Sequence, residues 1–245
     1  MLFEHLVLHA CCTPCTIKSY ERLVSGQAVT RDGEPVDAAR ITLLYYNPNI
    51  APIEEYERRR DAWVAYCAQQ GIEAVELEYE PQLWEEATAP DQQVPKRCRQ
   101  CYALRLGRAA RWAAEHGADA LTTTLTISPY QLPDIIAEEG RAAVKRCLTL
   151  FPQDSRAISP PRPVAPSQTA FISRRKSKEL WYLDIDFSPD YRASQNAARA
   201  AGIYVQNYCG CLPSKREAEE QRTQRRAARK AAHEQAEGPK ESRGA

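Results

Sequence analysis

The sequence lacks the marks of export and membrane insertion. No run of about 18 apolar residues occurs, so no membrane span is expected. No basic region followed by a long apolar stretch opens the chain, so no signal peptide is expected and the reading is cytoplasmic. An excess of one charge is also missing. The 33 basic residues stand against 32 acidic ones, so bulk charge argues neither for nor against a nucleic-acid partner. There is no G-x-G-x-x-G and no G-x-x-x-x-G-K-[ST], which removes two common nucleotide fingerprints. The first apolar run is not followed by the Ser-Gly-Gly loop of ATP-pyrophosphatases, and no H-E-x-x-H is present.

What the chain does have is cysteine. Its nine thiols include three clusters: Cys11-Cys12 with Cys15 close behind, Cys98 with Cys101, and Cys209 with Cys211. In a cytoplasmic chain such clusters point to metal or redox chemistry before structural disulfides. A length of 245 residues is enough to bury a full core, and one domain with appendages is the simplest division.

The run Leu6-Val7-Leu8 reads as a short buried strand, about Glu4 to Ala10. Pro14 suits the first turn of a helix over Thr13–Val24, with Thr13 as its cap. The thiols then lie at the carboxyl end of a strand and at a helix N-terminus. Ligands bind at that edge of an open α/β sheet, and backbone N–H groups with the helix dipole favour thiolate there. Further strands are expected near Ile41–Tyr46, Ile72–Tyr79, Asp119–Leu125 and Trp181–Phe187. Helices are expected near Ile53–Gln70, from Arg97 to near Gly117, Tyr130–Arg146 and Asp190–Ala201. This alternation predicts an α/β, mostly parallel sheet with helices on both faces. Ala87–Pro95 reads as a loop. One catalytic domain is expected over 1–213. Two surface insertions interrupt it, 26–39 and 151–178, the latter with five prolines and a basic end at Arg174, Arg175, Lys176 and Lys178. Residues 214–245 hold few large apolar side chains and are expected to be a charged tail, disordered or partly helical.

Cys98 and Cys101 share a helical face, so both sulfurs can reach one ion or cluster. With Cys11 and Cys12 they make four thiolates, enough for a tetrahedral zinc or a four-iron cluster. The adjacency of Cys11 and Cys12 is poor spacing for a zinc knuckle, which tilts the choice toward iron–sulfur. A disulfide across Cys209-Gly210-Cys211 would close a very small, easily reduced ring, which favours a redox pair over metal ligation or two inert thiols. Cys15 is open between a further ligand, a site for an additional iron and a buried small residue. Cys67 and Cys147 fit core packing. His9 either orients a substrate or is a hydrogen-bonded, partly buried histidine, the blander reading being favoured. Basic residues at Lys96, Arg97, Arg99, Arg105 and Arg108, with tyrosines 45, 46, 102, 130, 191 and 208 near strand ends or thiols, suit an RNA loop with an extruded base.

Together these segments resemble the epoxyqueuosine reductase QueH family. The matching stretches are Leu8-His9-x-Cys11-Cys12-x-Pro14-Cys15, Tyr45-Tyr46-Asn47-Pro48-Asn49-Ile50 with Glu54-Glu55-Tyr56, Arg97-Cys98-x-x-Cys101-Tyr102, Thr122 to Pro129, and Tyr208-Cys209-Gly210-Cys211. They run in order from about Leu6 to Ser214. The resemblance implies a Rossmann-like fold and the last step of queuosine synthesis, cobalamin-independent removal of the epoxide oxygen of epoxyqueuosine in tRNA. It implies a 4Fe-4S cluster on Cys11, Cys12, Cys98 and Cys101 and a redox-active pair on Cys209 and Cys211. The implied partners are tRNA carrying epoxyqueuosine at the wobble position and an unidentified electron donor. Predicted strand edges nominate Asn47, Asn49, Thr123, Thr124 and Tyr208 for base or phosphate contacts. The rival readings are a zinc-stabilised, non-catalytic RNA-binding module and a thiol-dependent tRNA sulfur-transfer enzyme, the latter weakened by the missing ATP loop.

Overall fold

The structure is a computed structural model that describes residues 1–150, 162–163 and 179–236. Two short strands, β1 (Leu2–Phe3) and later β3 (Asp37–Ala38), pair in parallel apart from the main sheet. The main sheet starts with β2 (Leu6–Ala10), which leads into α1 (Thr13–Val24). Next come β4 (Ile41–Tyr45), α2 (Ile53–Gln70) and β5 (Ala74–Glu76). Two helices follow, α3 (Pro81–Thr88) and α4 (Lys96–Glu115), then β6 (Ala120–Thr123), a 3₁₀ turn over Thr124–Ile127 and α5 (Pro133–Leu150). The chain ends through β7 (Arg162–Pro163), β8 (Trp181–Tyr182), α6 (Tyr191–Ala200) and α7 (Leu212–Ala236).

The sheet order is β7-β5-β4-β2-β6-β8, and every pair is parallel except β5 with the short β7. The parallel part is Rossmann-like: the chain steps outward from β2 to β4 and β5, then returns to place β6 and β8 on the other side. The order reverses between β2 and β6, the switch point where such sheets bind ligands.

β2 is buried along its whole length because helices cover both faces. Leu6, Leu8 and Ala10 point into one core with Leu43, Tyr45 and Trp63, and Val7 points into the other with Leu44, Leu106 and Leu121. That alternation follows from the two-residue period of a strand. Each fully buried leucine contributes about 1.5–3 kcal/mol, so a one-residue slip of β2 would be heavily penalised.

Several local expectations are corrected. Cys12, not Thr13, is the N-cap of α1, with extended backbone and no side-chain cap; Thr13 is already helical and its hydroxyl is buried without a partner among the described residues. Helix α3 was not anticipated: Pro81 opens it, and it overlaps the expected loop 87–95 only at its last two residues. The strands are shorter than their apolar runs. Residues 26–39 are more than a surface loop: Ala28 and Val36 are buried, and Thr30 bridges to Ile185. The tail, for which disorder or partial helix was expected and which needs no such correction, is helical in α7. The expected insertion 151–178, with Arg174 to Lys178, lies outside the described residues except for β7. Among the described residues no helix is long and apolar enough to cross a membrane.

A candidate thiol-lined active site

The carboxyl ends of β2, β4 and β6 are tied together by buried side chains. His9, fully buried, has Nδ1 2.8 Å from Thr123 Oγ1 and Nε2 3.1 Å from the Tyr46 carbonyl. Burial, then the charge of Arg105, lowers its pKa to about 3, so the ring is neutral. The favoured reading of His9 as a buried, bonded residue is what the structure contains. Asn47 donates to the Ala10 carbonyl at 3.0 Å and accepts from Arg105. Thr124 accepts from the Cys11 amide at 3.0 Å and sits 3.3 Å from its sulfur.

This frame presents the first thiol group. Cys11, Cys12 and Cys15 have their sulfurs within 4.8 Å of one another, Cys11 and Cys12 at 3.8 Å. The Cys12 thiol bonds Cys11 and lowers the pKa of the latter well below the ordinary thiol range, with Cys15 adding to the effect. One proton is thus easily lost from the trio, which suits thiolate ligation.

Cys98 and Cys101, on the first turns of α4, lie outside that trio. Burial pushes the Cys98 thiol up to about 11 and also raises Cys101, with Cys209 a further influence on both. Arg105 links the two groups. Burial alone would lower its pKa, but the Cys101 and Cys11 thiols outweigh it, and Cys209 contributes as well. A fully desolvated arginine beside several thiols calls for anionic sulfur. Arg97 Nε is a buried donor without a partner among the described residues, and Trp84 and Arg105 turn buried donors toward the Cys101 sulfur, Trp84 packing on Cys211 as well. Orphaned donors are costly, and sulfide or thiolate would satisfy them. The donor set therefore fits a thiolate-held metal or metal–sulfur group.

The third cluster is held differently. Cys209 and Cys211 have sulfurs 3.9 Å apart, Cys209 exposed and Cys211 buried. The Cys211 thiol bonds Cys209 and lowers the Cys209 pKa, while Cys211 itself is raised. Gly210 between them has φ +133°, and a Cβ there would sit 2.9 Å from Ile50 Cγ1 and 3.0 Å from Asn49 Nδ2. Only glycine suits this turn, whose carbonyl accepts from the Ala51 amide at 3.0 Å. Arg59, 2% exposed, donates to the Cys209 carbonyl at 3.2 Å and lies 4.8 Å over the Tyr208 ring. Glu55 holds Arg59 at 2.7 Å and receives the Tyr204 hydroxyl at 3.1 Å.

A cavity of about 530 Å³ opens between these groups. Cys11, Cys12, Cys15, Cys209 and Arg105 line it, Tyr130, Tyr191 and Tyr208 bring aromatic surface, and α7 forms one wall. Of the residues nominated for base or phosphate contacts, only Tyr208 lines it. Asn47, Asn49, Thr123 and Thr124 are buried; Asn47 and the two threonines serve the frame, and Asn49 packs against Gly210. Cys67 and Cys147 are buried in the two cores. Sequence reasoning missed Arg59 as a strut. It treated Arg97 and Arg105 as parts of a positive rim, whereas both are buried, Arg97 against Glu217 of α7 at 2.9 Å.

A family model described as epoxyqueuosine reductase QueH matches residues 6–162 and 167–217. The chain is also similar to curated proteins named epoxyqueuosine reductase QueH. It is 24% identical over 217 residues to that of Haemophilus influenzae, covering 86% of this chain and 72% of the relative. It is 26% identical over 212 residues to that of Dehalococcoides mccartyi, covering 86% and 93%. It is 24% identical over 213 residues to that of Thermotoga maritima, covering 84% and 88%.

Proposed function

The chain belongs to the epoxyqueuosine reductase QueH family, and from that premise we propose that it reduces epoxyqueuosine to queuosine in tRNA without cobalamin. The observation that carries the reading is a single cavity lined both by the Cys11, Cys12, Cys15 trio and by the exposed thiol of Cys209. The reaction removes the epoxide oxygen, forms a carbon–carbon double bond and releases water, which takes two electrons and two protons. Oxidation of the Cys209/Cys211 dithiol to a disulfide releases that number of both, so one epoxide, two thiols and no other reactant give one alkene, one disulfide and one water.

Cys11, Cys12, Cys98 and Cys101 would hold a 4Fe-4S cluster, with Cys15 available to it or to an additional iron, and this group would supply Lewis acidity toward the epoxide oxygen. The chain's own residues do the rest. Arg105 balances the negative charge of the thiolates from inside the fold. Arg59 fixes the Tyr208–Cys209 backbone so that Cys209 faces the cavity. The lowered pKa of Cys209 keeps it thiolate at neutral pH, so Cys211, which stays protonated, delivers one of the two protons, and water returns the other, the one Cys209 has already released. The tyrosines of the wall suit stacking of an extruded base. An external donor must then reduce the disulfide for the next cycle.

The test is an anaerobic assay with iron-reconstituted protein, a chemical reductant and epoxyqueuosine-bearing tRNA, with nucleosides read by mass. Queuosine should accumulate over many turnovers, and absorption near roughly 400 nm should accompany it. Cys211→Ser should keep that absorption and lose multiple turnover. Colourless, zinc-loaded protein that leaves epoxyqueuosine intact would overturn the reading in favour of an RNA-binding module. Unchanged turnover in Cys211→Ser would remove the pair from the chemistry.

A further inference from the structure

Helix α7 continues well past the cavity that its first turns line. Glu217, Gln221, Arg222 and Arg225 face the cavity. Residues three and four apart share a helical face, so the same face continues outward to Arg229, with Arg226 and Lys230 flanking it. Every residue from Glu219 to His233 is exposed. Within that stretch five basic residues follow Glu220, and no acid recurs until Glu234. No carboxylate among the described residues pairs with Arg225, Arg226 or Arg229. The inner end of the helix is fixed: Arg97 holds Glu217 through both carboxylate oxygens at 2.9 and 3.1 Å.

A helix exposed only for solubility interleaves its charges as i,i+4 pairs of opposite sign. This one separates them. Glu217, Glu219 and Glu220 lie in its first turns, and from Arg222 to Lys230 every charge is basic, the next acid being Glu234. The basic stripe starts at the cavity mouth and extends about 12 Å along the axis from Arg222 to Lys230. Between its charges stand only Gln, Thr and Ala, so there is no apolar face to enter a bilayer. A flexible, regularly charged polyanion that has one residue in the cavity and continues beyond it fits this shape.

We propose that the outer half of α7 is an RNA-docking arm, holding the phosphate backbone that flanks the nucleotide in the cavity. This rests on the reading of the cavity as the site of a modified tRNA nucleotide, and it names the surface that receives the rest of the strand. Phosphate contacts of this kind position a strand without reading its bases. The arm would therefore set affinity and orientation, and leave recognition of the modified base to the cavity.

The test uses the full chain with Arg226→Gln, Arg229→Gln and Lys230→Gln combined, three positions outside the cavity lining. Glutamine is a good helix former, and circular dichroism checks that α7 persists. Binding of a fluorescent, unmodified anticodon-arm hairpin RNA is followed by anisotropy from about 50 to about 200 mM salt. Near 0.1 M salt the triple variant should bind about tenfold or more weakly, and its log–log salt slope should be smaller by about two. Arg226→Lys with Arg229→Lys, which keeps the charges, should bind nearly as wild type. Equal affinity and slope in wild type and triple variant would overturn the arm. So would wild-type protein that ignores the RNA and binds phosphatidylglycerol vesicles through the same three residues. Unchanged RNA binding beside normal wild-type queuosine formation sinks the arm and spares the proposed function. Weakened RNA binding beside a wild type that forms no queuosine supports the arm and sinks the function.

Discussion

Two thiol groups face one cavity and are built on opposite plans. Cys11 and Cys12 follow a strand buried from end to end, and the struts beneath them are neutral side chains, His9, Thr123, Thr124 and Asn47, with the buried Arg105 bonded to Asn47. Cys209 and Cys211 sit on a turn outside the sheet, held by a buried charge, Arg59, and by a glycine pressed onto Ile50. A group meant to keep one geometry benefits from the neutral frame, because hydrogen bonds within a core fix positions without attracting counterions. A pair meant to cycle between dithiol and disulfide must move its sulfurs from 3.9 Å to bonding distance. A turn outside the sheet, held by Arg59 and the Ala51 amide, permits that movement.

The largest expected effect breaks the first group. Cys12→Ser should leave the fold intact, since serine fits the same N-cap position and is a preferred residue there. It should nevertheless reduce iron content and absorption near roughly 400 nm after reconstitution, and take turnover to background. Retained iron with full turnover would show that the trio is not part of the metal site.

The second effect loosens the other group. Arg59→Lys keeps a positive charge near Glu55 but cannot reach the Tyr208 and Cys209 carbonyls in fork geometry. Iron content should be unchanged while kcat falls by about tenfold or more, the scale expected when a reacting group is misplaced. Alkylation of Cys209 should separate positioning from simple destabilisation. In wild type the lowered Cys209 pKa predicts rapid labelling already below neutral pH, whereas Cys98, pushed up to about 11, stays unlabelled. A shifted labelling profile in Arg59→Lys supports a positioning role; a lower melting temperature with the profile intact points to fold stability alone.

Much of the first group was legible in the sequence, because strand, proline and thiols are contiguous there and obey local rules. The family pattern also carried the order of the segments. The struts were less legible. Arg59 falls in the buried stripe of α2 with Tyr56, Trp63 and Cys67, and Glu55 accompanies it four residues earlier. Arg105 lies four residues after Cys101 on the buried face of α4. A charge at an apolar stripe position was the available signal, and it was hidden because arginines on such helices are commonly a solvated face. Helix α7 was legible only as a charged, disordered or partly helical tail, for the opposite reason. Its partners are a polar cavity wall and the Arg97 guanidinium, so it needs no apolar face, and its sequence resembles a tail.

The smallest effect concerns the neutral frame itself. His9 and His5 have pKa values lowered to about 3 and about 4, burial being the main cause for both. An unfolded chain protonates its histidines near 6.5, so between that value and the folded ones the unfolded state binds more protons. The stability these two neutral rings contribute is therefore complete above about pH 6.5 and is lost as pH falls. The loss approaches about 1.4 kcal/mol per pH unit for each ring. His9→Gln keeps a donor and an acceptor but cannot titrate. Urea unfolding of the metal-free protein should give a stability–pH slope near pH 5 that is about 1.4 kcal/mol per unit shallower in the variant. Arg59, charged throughout this range, should leave the slope unchanged in Arg59→Lys. Equal slopes in wild type and His9→Gln would mean that His9 is already protonated beneath the thiols, and the contrast between a neutral and a charged support would disappear.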